Sequence, residues 1–291
     1  MRSDKALRNA FRRLQLPTSD DPKNVFAAIV PAVPIDVGQV WEDLHNADDA
    51  RLAFAFSHPS YAHLLTAGIT LPSFREELEW ILRQFDEGLP EGDVVDVGAG
   101  TGVTAAVISL ATKRIVRAVD PAAGAEAAVR YVANTVGVPV IAEEAPASKL
   151  ASENLDGVAV AIAQSVLAYT GFGSRDDDAG KSEECSALVS VLATVGEALV
   201  IEHAANKWGN EATWKSFAAA MSQAGMYPVW ETLSSASGYT ALTPEVPAYE
   251  RPAYRRPKLC LRFSTAGDSH DAEDRLLAVL AEHPVGTGYI G

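Results

Sequence analysis

An acid and three glycines at alternate positions, Asp96-x-Gly98-x-Gly100-x-Gly102, carry the clearest chemistry in this chain of 291 residues. Glycine tolerates positive φ and lets a ligand come close to the backbone. Residues 103–110 read as the opening turns of a helix, whose first N–H groups have no partner within the helix and attract a negative group. A nucleotide-like or carboxylate-bearing ligand over residues 98–102 follows from these properties. A second acid, Asp120, follows the stretch 113–119 (KRIVRAV). At a strand end such an acid can accept both hydroxyls of a ribose. It can also cap the helix expected over 122–135, and the two roles are compatible.

The elements that must position these residues are legible in outline. Residues 94–97 (VVDV) are apolar and β-branched apart from one acid, as in a central parallel strand. Further strands are expected over 113–119, 138–142, 156–163, 198–202, 226–233 and 258–264. Helices are expected over 122–135, 184–195 and 208–224. Such alternation implies a mostly parallel sheet. Spacing then excludes two nucleotide fingerprints. A dinucleotide turn requires G-x-G-x-x-G, and Val103 holds the place of its third glycine. A phosphate-binding P-loop requires a lysine after its glycines, and none is present.

The D-x-G-x-G-x-G pattern, in this strand and helix context, resembles motif I of the class I S-adenosylmethionine-dependent methyltransferases. The resemblance covers about residues 89–267 and implies a Rossmann-like, doubly wound, mostly parallel seven-stranded sheet. It implies that Asp96, Gly98, Ala99, Gly100 and Gly102 hold the methionine end of S-adenosylmethionine and that Asp120 holds the adenosine ribose. In the family an acid after the third strand often accepts the adenine amino group; here Glu143 is the first choice and Glu144 the alternative. The end of the fourth strand, Gln164, would lie beside the methyl group. The loop 171–182 is long enough to act as a flap.

Composition agrees with an enzyme of small molecules. The formal net charge of −14 opposes phosphate backbones, so nucleic acid is not an expected partner. The basic group Arg251, Arg255, Arg256 and Lys258 reads as a solvated hairpin. No run approaches the roughly 20 apolar residues of a membrane helix. Cys185 and Cys260 fit neither a metal spacing nor a disulfide framework, and a reducing cytoplasm is the expected location. The first 15 residues read as an amphipathic helix.

Residues 1–88 are expected to form a helical extension or cap, and residues 89–291 the cofactor-binding domain. Within the extension, Ser73 and Glu76 make a capping box. Phe74, Leu78, Ile81, Leu82 and Phe85 then recur at helical spacing. Trp41, His58, Tyr61 and His63, with Trp208 further on, are the expected substrate contacts. The spacings within 58–63 put no pair on one helical face, so no metal site is expected. Glu202 and His203, at the end of the fifth strand, and Tyr169 are the candidate catalytic residues. A histidine there can take a proton near neutral pH.

The expected activity is methyl transfer to a nitrogen or oxygen, less readily a carbon, of a small metabolite, with natural-product biosynthesis as one setting. A nicotinamide-dependent oxidoreductase, an aminopropyl transferase and a catalytically silent interaction protein are the alternatives. The oligomeric state is open, a homodimer included.

Overall fold

The computed structural model describes residues 2–16, 72–172, 179–203, 210–236 and 258–281. A seven-stranded sheet runs through its centre, formed by β1 (Asp93–Val97), β2 (Val116–Asp120), β3 (Val140–Glu144), β4 (Val158–Gln164), β5 (Glu197–His203), β6 (Tyr227–Ala236) and β7 (Lys258–Ser264). The strand order is β3-β2-β1-β4-β5-β7-β6. Strands β1 to β5 pair in parallel. Strand β7 enters antiparallel between β5 and β6. This is the doubly wound, mostly parallel seven-stranded sheet expected from the sequence. The order reverses between β1 and β4, and ligands of such sheets bind above that point at the carboxyl ends of the strands.

Helices cover both faces. α1 (Arg2–Arg13), α2 (Pro72–Asp86), α3 (Val103–Thr112) and α4 (Ala125–Val136) lie on one face. α5 (Ala147–Ala151), α7 (Ala179–Val195), α8 (Asn210–Gln223) and α9 (Ala272–Ala281) lie on the other. The short α6 (Leu167–Thr170) follows β4. The period of two along β1 sends Val95 and Val97 into the second core and Val94 into the first. Asp96 therefore falls on the face of Val94.

The described helices of the 1–88 region share the first core. Leu7, Phe11, Leu78 and Ile81 pack with Val103, Ile108 and Val129. The apolar face read for residues 74–85 is real, with Leu78, Ile81 and Leu82 buried. Helix α2 begins at Pro72, one residue before the expected cap Ser73, because proline suits the first helical position. Helix α7 begins at Ala179, inside the expected loop 171–182. Helix α9 was not anticipated; its Arg275 guanidinium stacks 4.5 Å over the Trp230 ring. Trp41, His58, Tyr61, His63, Trp208, Arg251, Arg255 and Arg256 lie outside the described residues. Among the described residues, no helix is long and apolar enough to cross a membrane.

Candidate functional site

The glycine turn adopts a backbone that side chains would prevent. Gly98, Gly100 and Gly102 have φ of 73°, 55° and 78°. A Cβ on Gly98 would stand 2.1 Å from Val166 Cγ1, and one on Gly102 would stand 2.9 Å from both methyls of Val129. The turn is thus pressed between α4 and the segment that follows β4. Gly98 and Ala99 both donate to the Val119 carbonyl, at 2.8 and 3.1 Å. Gly98, Ala99 and Gly100 remain only half-buried, so the turn keeps an open side.

Asp120 is wired to that turn. Its Oδ2 accepts the Gly100 N–H at 2.9 Å and its Oδ1 accepts the Ala122 N–H at 2.9 Å. The second bond closes a turn ahead of α4; the helix begins at Ala125 with Gly124 as its N-cap and without a side-chain cap, so the capping role expected of Asp120 is not met. Burial, and then the charge of Glu144, raise its pKa, while the two N–H bonds oppose the rise. Asp96 lies beneath, 1 % exposed, with Oδ2 buried and without a hydrogen-bond partner. Burial and then the charge of Asp120 push its pKa up to about 7.

The two acids of β3 part company, because neighbours on a strand point to opposite faces. Glu143 pairs with Arg117, its Oε2 accepting from Nη2 at 2.7 Å, and Arg117 also contacts Glu153. The Arg117 hydrogen bonds hold the Glu143 carboxyl below the ordinary range. Glu144 accepts the Gly124 N–H at 2.9 Å and pairs in register with Asp120. Of the two, Glu144 is the one beside Asp120.

At the ends of β4 and β5 the polar side chains are largely committed to one another. Gln164 accepts from Thr104 Oγ1 at 2.8 Å and donates to Glu77 Oε2 at 2.6 Å. Lys258 Nζ lies 2.9 Å from Glu77 Oε1 and donates to Ser165 Oγ at 2.8 Å. Lys258 is 4 % exposed, which corrects the solvated-hairpin reading at this position; its buried partner Glu77 keeps it inside. Glu202, 2 % exposed, accepts the Leu167 N–H at 3.0 Å and the His203 N–H at 2.8 Å. Each oxygen therefore holds one backbone N–H. His203 is half-buried, and its carbonyl accepts from Trp214 Nε1 at 3.0 Å. Tyr169 keeps 56 % of its surface exposed, on α6 just after β4. Desolvation, and then the charges of Glu202 and Asp120, raise its phenol above the ordinary range, so the ends of β2 and β5 act on one ring.

Glu77, Thr104, Ser165, Val166 and Lys258 were not among the expected site residues. A charged residue within the apolar face of α2, and a lysine opening an apolar strand, were the available signals.

No family model matches the chain, and no curated protein matches it. Solved structures do resemble it in fold. A methyltransferase dependent on S-adenosylmethionine from Aquifex aeolicus is 16% identical, with a TM-score of 0.45, over 72% of this chain and 99% of that one. Magnesium protoporphyrin IX methyltransferase from Synechocystis, solved with bound S-adenosylmethionine, is 16% identical with a TM-score of 0.43, over 66% and 79%. A TehB-like methyltransferase from Corynebacterium glutamicum is 12% identical with a TM-score of 0.40, over 64% and 86%.

Proposed function

We propose that the chain is an S-adenosylmethionine-dependent methyltransferase that acts on a nitrogen or oxygen, less readily a carbon, of a small molecule. The observation that carries this reading is Asp120, a strand-end carboxylate fixed by two backbone N–H groups and bonded directly to a bare glycine turn. The residues fit such a cofactor. Asp120 has lone pairs left for a pair of vicinal hydroxyls. The unpartnered Asp96 Oδ2 suits an ammonium group, and the half-buried turn admits close contact. Glu144, in register with Asp120, is the acid assigned here to an exocyclic amine.

The cofactor supplies an electrophilic methyl group on a sulfonium centre, open to in-line attack with release of S-adenosylhomocysteine. The acids Asp96, Asp120, Glu144 and Glu202 put negative potential along the strand ends, which favours a cationic donor. Positioning donor and acceptor about 3 Å apart supplies much of the rate. Tyr169 offers a ring and hydroxyl to orient the acceptor. His203 is the group suited to take a proton from an acceptor that must lose one.

Mass spectrometry of the chain incubated with S-adenosylmethionine and panels of small amines and hydroxyl compounds tests this. Gain of one methylene mass by an acceptor, with S-adenosylhomocysteine formed, is expected. Failure across both panels, together with binding of NAD or NADP in place of S-adenosylmethionine, would overturn it.

A further inference from the structure

We propose that the buried Glu77–Lys258 pair is a positioning device that sets the distance between the two walls of the cofactor cleft. This deepens the methyltransferase reading and rests on it. One wall is the first turn of α3, which leaves the glycine turn and carries Thr104. The other is the end of β4 with the segment after it, which carries Gln164, Ser165 and Val166. The walls meet where Val166 fills the place of a Gly98 side chain and where Thr104 donates to Gln164.

A chain of hydrogen bonds ties both walls to the ion pair. Thr104 donates to Gln164, Gln164 donates to Glu77, and Lys258 bridges Glu77 to the Ser165 hydroxyl. Glu77 is 0 % exposed and Lys258 4 % exposed, so the pair acts with little solvent screening. The Lys258 ammonium also lies 4.5 Å over the Phe74 ring.

The backbone at Ser165 needs such support. Its φ of 60° lies in the left-handed region that non-glycine residues rarely hold. Its N–H donates to the Ile201 carbonyl at 2.7 Å, and its hydroxyl meets Lys258 at 2.8 Å. A helix of the 1–88 region and a strand near the far end of the chain thus fix one turn of the cleft, through residues 181 positions apart.

A buried ion pair does not by itself argue for stability. Replacing both partners with apolar residues is often neutral or stabilising, whereas removing one strands a charge. This separates positioning from packing. The double variant Glu77→Leu/Lys258→Met is expected to melt at or above the wild-type temperature. Its affinity for S-adenosylhomocysteine, measured by calorimetry, is expected to fall about tenfold or more, near 1.4 kcal/mol. Ser165→Ala, which keeps the ion pair, is expected to weaken binding several-fold with little change in melting, and it decides the matter should the double variant not fold. Wild-type affinity in a folded double variant, or in Ser165→Ala if that variant must decide, would overturn the device and leave the methyltransferase reading intact. Absence of binding by the wild-type chain would overturn both.

Discussion

The cleft has two halves that use their acids in different ways. In the half built from β1, β2 and β3, the Asp120 carboxylate is fixed by two N–H groups yet keeps lone pairs for a ligand. Asp96 keeps an oxygen with no partner at all. In the half built from β4, β5 and β7, Glu202 likewise accepts one backbone N–H on each oxygen, but from Leu167 and His203 and not from the glycine turn, and Glu77 is spent on Lys258 and Gln164. An acid at a strand end is therefore not a site residue by position alone. What separates the halves is what each acid is bonded to: Asp120 holds the half-buried glycine turn, whereas Glu202 holds the Leu167 and His203 N–H groups and Glu77 holds Lys258 and Gln164.

Affinity for S-adenosylhomocysteine should separate the halves in the same way. The largest loss is expected for Gly98→Ala, whose Cβ would stand 2.1 Å from Val166 Cγ1 at a φ of 73°. Strain at such a position costs about 1–3 kcal/mol, and the clash must also open the turn. Calorimetry is expected to show a loss of about 100-fold, with a lower melting temperature; wild-type binding would show that the turn does not form the cleft.

Asp96→Asn should weaken binding about tenfold, the cost of one charge-assisted hydrogen bond. It also carries a pH signature. The folded pKa of Asp96 lies above its unfolded value, so its contribution to stability is complete below 3.8 and is lost as pH rises through about 7. Melting curves taken from roughly pH 5 to pH 8 should show a decline in the wild type that the variant lacks. Parallel curves for the two proteins would remove this account of Asp96.

Glu202→Gln should have the smallest effect on affinity, within about threefold, while stability falls by about 1–3 kcal/mol because one backbone N–H loses its acceptor. A loss of binding as large as that of Asp96→Asn, with an unchanged melting temperature, would return Glu202 to the ligand and erase the contrast.

The half built by local geometry was legible in the sequence, since Gly98, Gly100 and Gly102 answer a backbone demand within five residues and Asp120 closes the adjacent strand. The mostly parallel sheet followed from the alternation of apolar strand runs with longer helical runs, which is also local, whereas the strand order emerges only in the structure. The other half was not legible for a physical reason. Its partners come from α2, α3, β4 and β7, and no short pattern announces that Glu77 will meet Lys258. Glu143 and Glu144 show the limit at its smallest scale. They are adjacent and chemically alike, and only the register of β3 on β2 sends one to Arg117 and the other to the side of Asp120. The buried α2 face, with Glu77 and Gln84 inside it, likewise mixes polar and apolar residues in a way that periodicity alone does not sort.

The central claim is that Asp120 and the glycine turn together hold an adenosine-bearing cofactor. Calorimetric titration of the wild-type chain and of Asp120→Ala with S-adenosylhomocysteine tests it most directly. The wild type is expected to bind with a single site, and the variant to bind about 100-fold more weakly, in line with two lost bonds to a charged acceptor. Equal affinity in the two proteins, or no binding by the wild type, would contradict it.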